Sequence, residues 1–154
     1  MIKKLDLYDK LICRKILDLQ KLSYQVEADL IGFDDIPTLN DSIKSLMDSH
    51  EIFYGYFMDQ NLVGIIAYEV NQDIGDICRL AIHPSYFRKN IAQNLLHHIE
   101  EMNPNINRWH VTTGKDNIPA IKFYIKLGYK KVKDFKVNEK LRMSKFQKIK
   151  GSEK

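Results

Sequence analysis

The sequence predicts a single α/β (α+β) domain in which a mixed, mostly antiparallel sheet of about seven strands is flanked by about four helices. The chain has 154 residues, of which 44% are hydrophobic and 29% charged, as in globular proteins that bury a core without disulfides. Segments rich in β-branched and aromatic residues are interleaved with segments whose apolar residues recur every three or four positions. We therefore expect one domain over residues 1–149, followed by a frayed tail at 150–154.

The first elements are a short strand and two helices. Residues 2–7 are a strand candidate, and Asp9 is a suitable N-cap for the helix that follows. The apolar spacing after Asp9 predicts an amphipathic helix that ends near Gly32 and is either continuous or broken near Ser23. A shorter second helix is predicted over 39–47.

A meander of three strands follows in the middle of the chain. The runs IFYGYFM at 52–58 and LVGIIAYEV at 62–70 are joined by three polar residues, which indicates an antiparallel hairpin. A second polar turn leads to the apolar run that ends at Ile82. This run is the fourth strand of the chain.

The fourth strand leads through a basic turn into a helix. His83 and Pro84 stop the strand, and apolar residues resume at helical spacing from Ile91. The turn carries Arg88 and Lys89 just before that helix. Because the first N–H groups of a helix lack partners and carry partial positive charge, this turn is suited to bind a phosphate.

A second strand-turn-helix unit and a hairpin complete the chain. RWHVTT at 108–113 is a strand with alternate residues on one face. Pro119 lies in the first turn of the next helix, and Gly128 lies just past its end. Two further strands are expected at 129–135 and 139–146. The resulting order, β, α, α, β, β, β, α, β, α, β, β, gives the predicted mixed sheet.

The basic turn resembles a known cofactor-binding loop. PSYFRKNIAQNLL at 84–96 is similar to the acetyl-CoA pyrophosphate loop of the GNAT N-acetyltransferase superfamily, Gln/Arg-x-x-Gly-x-Gly/Ala. Phe87 stands at the Gln/Arg position, Asn90 at the first Gly and Ala92 at the Gly/Ala position. Since Asn tolerates positive φ better than other non-glycine residues, we expect Asn90 to keep the turn of the loop. The order of elements is also that of the GNAT fold, so the resemblance spans nearly the whole chain.

A second GNAT signature is matched at every position by Asn117, Ala120, Phe123, Tyr124, Gly128 and Tyr129. The resemblance implies that Tyr124 is the general acid that protonates the departing CoA thiolate. It also implies that Asn117 binds the cofactor or a water, and that the N–H of Ile82 or of a neighbour on the fourth strand holds the oxyanion. The implied acetyl-CoA-binding residues are Leu80, Ala81, Ile82, Phe87, Arg88, Lys89, Asn90, Ile91, Ala92, Gln93, Asn117 and Tyr124.

Several groups could accept the proton of the attacking amine. Asp76 falls where some GNAT members place a catalytic Glu, Glu69 and His110 are alternatives, and waters can carry the proton instead. In the family the first two helices wall the acceptor site, which makes Glu27 a candidate for binding a cationic amine. A charged residue on a solvated helix face is the favoured interpretation of Glu27.

The resemblance implies an acetyl-CoA-dependent N-acetyltransferase that moves an acetyl group directly to a primary amine. The acceptor is a small molecule or a peptide that the sequence does not specify. The alternative is a sensor or scaffold of the same fold that binds CoA or acyl-CoA with weak activity. Dimers are frequent in the family, so a homodimer is an open alternative.

Composition argues against several other classes of protein. Cys13 and Cys78 lack the spacing of a disulfide framework or a zinc site, so we expect two small buried side chains and no metal. Neither GxxxxGK[ST] nor GxGxxG occurs, which argues against nucleotide hydrolysis. The lysine-rich last quarter is interpreted as an exposed sheet edge, not as a nucleic-acid surface. With no long apolar run and no signal-peptide pattern, we expect a cytoplasmic protein without a membrane partner.

Overall fold

The protein is described by a computed structural model over residues 1–31 and 41–150. Residues 32–40 and 151–154, and the side chains of residues 27, 28, 30 and 31, lie outside the described part. The predictions made for the Glu27 side chain, for the helix end at Gly32 and for most of the tail therefore fall outside the described residues.

Within the described residues the chain forms seven strands and four α-helices, which confirms the predicted fold class. The strands are β1 (Ile2–Lys4), β2 (Ile52–Met58), β3 (Asn61–Asn71), β4 (Ile74–Ile82), β5 (Arg108–Gly114), β6 (Lys130–Lys136) and β7 (Arg142–Ile149). The helices are α1 (Lys10–Ile31), α2 (Ile43–Met47), α3 (Ile91–Met102) and α4 (Ile118–Lys126), with a short 3-10 helix at Pro84–Tyr86. Helix α1 runs through Ser23 without interruption, so a break there is wrong.

One sheet joins the seven strands in the order β1-β2-β3-β4-β5-β7-β6. Every neighbouring pair is antiparallel except β4 and β5, which are parallel. At the start of this parallel pair, Gly75 lies opposite Trp109. A Cβ at Gly75 would lie 2.5 Å from the indole ring, so glycine at this position leaves room for the Trp109 side chain to pack over β4.

Apolar side chains fill both faces of the sheet. On one face, α3 and α4 pack against the sheet through a cluster that includes Tyr68, Leu95 and Phe146. On the other face, α1 and α2 cover a cluster that includes Cys13 and Ile65. Each large apolar side chain that is fully buried in these clusters contributes about 1.5–3 kcal/mol to folding. The two clusters hold the helices that frame the site described below.

The lysine-rich strand β6 forms one edge of the sheet, as predicted. All of its residues are exposed, including Val132 and Phe135. Lysines on an edge strand hinder pairing with another chain. Of the helices that the structure describes, none is long and apolar enough to cross a membrane.

Candidate active site

A cleft opens where the two parallel strands of the sheet stop pairing. Residues 74–77 of β4 pair with 108–111 of β5, yet β4 continues to Ile82 and β5 to Gly114. The cleft between them has a volume of about 760 Å³. Its walls come from β4, the loop before α3, the start of α4 and helix α1.

Main-chain donors of β4 face this cleft. The His83 N–H donates to Val63 O on β3 (2.8 Å). Because the N–H groups of successive strand residues point to opposite edges, those of Leu80 and Ile82 point away from β3 toward the cleft. Leu80 lies past the last pair with β5. The N–H of Ile82 donates to Ser23 Oγ on α1 (3.2 Å), so the predicted oxyanion donor is already engaged and Leu80 is the better candidate.

The loop before α3 presents a second set of main-chain donors. In the described chain, the N–H groups of residues 88–93 have no hydrogen-bond partner, and the first bonded amide of the helix is that of Asn94, to Asn90 O (3.0 Å). Asn90 adopts the left-handed conformation expected from the sequence, with φ of 60°. Arg88 also has a positive φ, of 67°, which the sequence analysis missed. A left-handed non-glycine residue costs roughly 1–2 kcal/mol, and such strain concentrates at functional loops.

Most of the predicted cofactor residues meet in the cleft. Those that line it are Leu80, Ile82, Phe87, Arg88, Asn90, Ile91, Ala92, Gln93, Asn117 and Tyr124. Phe87, at the Gln/Arg position of the loop motif, is 43% exposed. Ala81 and Lys89 do not line the cleft, and the Ala81 side chain is buried in the core under α1.

Tyr124 on α4 forms part of the wall of the same cleft. The residue is only 5% exposed, and its ring lies 5.2 Å from that of Phe123 and 5.6 Å from that of Tyr129. Tyr124 is therefore both a core aromatic and a cleft residue, because its ring packs inward while the residue forms part of the cleft wall. A phenol in this position can donate a proton to a group bound between β4 and β5.

Asn117 holds the start of α4. Its Oδ1 accepts the N–H of Ala120 (3.3 Å), so the side chain is an N-cap. The side chain is buried and lines the cleft. The amide nitrogen takes no part in the cap and can donate to a ligand.

The candidate bases lie together at the closed end of the parallel pair, outside the cleft lining. Glu69 pairs in register with Asp76, and Asp76 with His110. Desolvation raises the pKa of Asp76, while His110 and Lys145 oppose the rise. Desolvation, with Lys145 next, lowers the pKa of His110. Both shifts favour the neutral forms, but a water would have to connect these groups to an amine in the cleft.

Cys78 lines the cleft beside these carboxylates. It is exposed, so the prediction of a small buried side chain is wrong for Cys78, although Cys13 is buried as expected. A register shift in the β3–β4 pairing skips Cys78, so it lies opposite no residue of β3. Desolvation, then Glu51, Asp76 and Glu69, raises the pKa of Cys78 to about 12. The thiol therefore stays protonated and is a poor nucleophile.

Arg79 is a buried residue that the sequence analysis missed. It is 8% exposed and bonds Glu51 through Nε (2.9 Å) and Nη2 (3.0 Å), Asp41 through Nη1, and Gln20 Oε1 through Nη1 (2.9 Å). It thus joins α1, the residues before α2 and the start of β2 to β4. An arginine inside the apolar strand ICRLAI was a signal for a buried ion pair, since charged residues are seldom buried unpaired.

Glu51 and Glu69 bring carboxylate oxygens within 4.8 Å of Cys78 Sγ and of each other, a spacing that could hold a metal ion. Both Glu51 oxygens accept hydrogen bonds from Arg79, and the raised pKa of Cys78 favours the thiol. A metal ion here would compete with the Arg79 guanidinium for Glu51 and with a proton for the sulfur.

Residues 30–150 match the family model described as "Acetyltransferase (GNAT) domain". The UPF0157 protein YqkA of Bacillus subtilis (strain 168) is 38% identical over 146 residues, which cover 95% of this chain and 43% of that protein. The spermidine N(1)-acetyltransferase of Thermoplasma acidophilum is 28% identical over 94 residues, which cover 60% of this chain and 58% of that protein. The chain thus spans less than two thirds of the length of these curated relatives.

The fold also matches solved structures. The PaiA N-acetyltransferase of Thermoplasma acidophilum, solved in complex with coenzyme A, superposes with a TM-score of 0.73 at 21% identity. The superposition covers 97% of this chain and 98% of that one. At this identity the likeness concerns the fold.

Proposed function

Because the chain belongs to the GNAT acetyltransferase family, we propose that it transfers an acetyl group from acetyl-CoA directly to a primary amine. Acetyl-CoA, as the co-substrate, supplies the activated thioester. The observation that carries the proposal is the arrangement of one cleft, in which open main-chain donors of the loop and of β4 lie along the same cavity as the Tyr124 phenol.

The loop before α3 binds the diphosphate of the cofactor. The unpartnered N–H groups of residues 88–93 and the positive end of α3 favour an anion. Arg88 adds a positive charge beside them. Because main-chain amides bind the diphosphate, the loop can bind the cofactor with Phe87 at the position where the motif has Gln or Arg.

Residues farther along the cleft hold the reacting atoms. The N–H of Leu80, which faces the cleft past the last β4–β5 pair, holds the thioester carbonyl oxygen. Tyr124 gives its phenolic proton to the departing sulfur. Cys78 takes no covalent part, because its raised pKa keeps it a thiol.

The proton of the attacking amine leaves toward the cluster of Glu69, Asp76 and His110. None of the three lines the cleft, so the transfer runs through water. The pKa of His110 is lowered, which keeps the imidazole neutral and able to accept a proton at neutral pH. Asp76 or Glu69 is the alternative acceptor. The carboxylates of Glu69 and Asp76 also attract a cationic acceptor. They therefore increase the affinity for an amine, whether it belongs to a small molecule or to a peptide.

A CoA- or acyl-CoA-binding sensor of weak activity is the second candidate. It is favoured by one observation, the exposed Phe87 at the Gln/Arg position of the loop. Such a protein would bind the cofactor and release little or no CoA with any amine.

Two measurements separate these functions. A ligand at 100 times its Kd adds about 2.7 kcal/mol of stability, which raises the Tm of a chain of this size by roughly 5–10 °C. We expect this rise with acetyl-CoA, and its absence at millimolar ligand refutes both functions. CoA release is then measured with a panel of a polyamine, an aminoglycoside, free amino acids and a short peptide. Release with at least one amine supports the transferase, whereas binding without release across the panel supports the sensor.

A further inference from the structure

Helix α1 lines the cofactor cleft with Ser23, Tyr24 and Val26, and Ser23 is bonded there to β4. Ser23 is half-buried and lines the cleft, and its Oγ accepts the N–H of Ile82 at 3.2 Å. Ser23 and Ile82 are 59 residues apart in sequence, so this contact exists only in the folded chain.

The contact between Ser23 and Ile82 matters because of its position at the end of β4. Ile82 is the last residue of β4, between the Leu80 donor and the loop that begins the diphosphate seat. Its N–H points into the cleft, where a carbonyl of a bound chain would otherwise accept it directly. Ser23 Oγ occupies that place. A carbonyl arriving beside Ile82 therefore meets a hydroxyl.

A hydroxyl that accepts one hydrogen bond keeps its own proton to donate. Accepting the Ile82 N–H also polarises the O–H and strengthens the bond that it donates. We infer that Ser23 is a cofactor-contacting residue that donates its O–H to an amide carbonyl of the pantetheine arm. The inference rests on the proposed acyl-CoA activity and adds to it a contact from α1 in place of a direct bond from Ile82.

Gln20 provides a matched control, one turn earlier on the same helix. It is buried, it also ties α1 to β4, through the bond from Arg79 Nη1 at 2.9 Å, and it does not line the cleft. If α1 matters to the cofactor only by being docked on the sheet, loss of either tether has the same effect. If Ser23 contacts the cofactor, only its loss weakens binding.

The test is calorimetric titration of the wild type, Ser23→Ala and Gln20→Met with CoA and with adenosine 3′,5′-bisphosphate, which lacks the pantetheine arm. Ser23→Ala should raise the Kd for CoA roughly three- to tenfold, the value of one hydrogen bond. It should leave the Kd for the bisphosphate within about twofold. Gln20→Met should bind both ligands within about twofold of the wild type. Alanine favours the helix, so Ser23→Ala is expected to fold.

Three results would overturn the inference. Unchanged or tighter CoA binding by Ser23→Ala would mean that the hydroxyl only fills the place of a ligand. An equal loss in Gln20→Met would assign the effect to helix docking, and an equal loss for the bisphosphate would move it away from the pantetheine arm. Failure of the wild type to bind CoA would instead refute the proposed function itself, which distinguishes the two failures.

Discussion

Replacing Tyr124 with Phe removes one hydroxyl from the cleft and keeps the ring. The ring contacts with Phe123 at 5.2 Å and Tyr129 at 5.6 Å remain, so the variant should lose little stability. A hydrogen bond to a charged group is worth about 1.5–3 kcal/mol, and each 1.4 kcal/mol is about tenfold in rate. We therefore expect kcat to fall by roughly 10- to 100-fold. The KM for acetyl-CoA should change little, because the bond strengthens only as the sulfur becomes negative.

Tyr129 supplies the control for this experiment. It is 1% exposed, its ring neighbours that of Tyr124, and it does not line the cleft. Tyr129→Phe removes a hydroxyl that is buried outside the cleft and should keep kcat within about twofold. Both variants are assayed by CoA release under saturating substrates and by thermal unfolding. Wild-type turnover in Tyr124→Phe, or an equal loss in Tyr129→Phe, would refute the role of Tyr124 as proton donor.

Other tests address the conformation of Asn90, the ion pairs of Arg79 and the pKa shifts of Cys78 and Asp76. Asn90→Ala should lose about 1 kcal/mol of stability and bind CoA more weakly than Asn90→Gly, because alanine tolerates the left-handed conformation less well. Urea unfolding gives the stability and calorimetric titration gives the Kd for CoA, and equal values for the two variants would contradict the prediction. Arg79→Met should lower the free energy of unfolding by about 3–5 kcal/mol, since it leaves buried carboxylates unpaired; a loss below about 1 kcal/mol in urea would show that the ion pairs contribute little. Cys78 should react with iodoacetamide far more slowly at pH 7.5 than free cysteine does, because its pKa is raised to about 12; peptide mass spectrometry detects the adduct, and rapid labelling would contradict the shift. Asp76 binds its proton more tightly in the folded state than in the unfolded state, whose pKa is near 3.8, so the ionised carboxylate lowers stability above pH 3.8. Asp76→Asn should therefore raise the Tm at pH 7 and leave it unchanged at pH 3, and a lower Tm at pH 7 would contradict the raised pKa.

Several features of the fold could be predicted from the residues near them in sequence. The left-handed turn at Asn90 follows from the ability of asparagine to adopt positive φ. The buried face of β5 at Trp109 and Val111 follows from alternation, and the exposed edge strand β6 follows from its lysines. These inferences depend on side-chain chemistry and periodicity over a few residues, which the sequence displays directly.

Other features depend on groups that are distant in the chain. Cys78 is exposed beside a register shift in the β3–β4 pairing, and the run of residues around it carries no sign of that shift. Arg79 could be expected to need anionic partners, but its actual partners lie 28, 38 and 59 residues away. No local pattern relates Ser23 to Ile82.

The order of the elements, the family resemblance and the helix that carries Tyr124 were predictable from the residues alone. Three features became evident only in the folded chain: the point where β4 and β5 stop pairing, the donors that then face the cleft, and the bond between Ser23 and the N–H of Ile82. Secondary structure follows from local propensity and periodicity. Strand register and the partners of polar groups are fixed only when distant parts of the chain pack together.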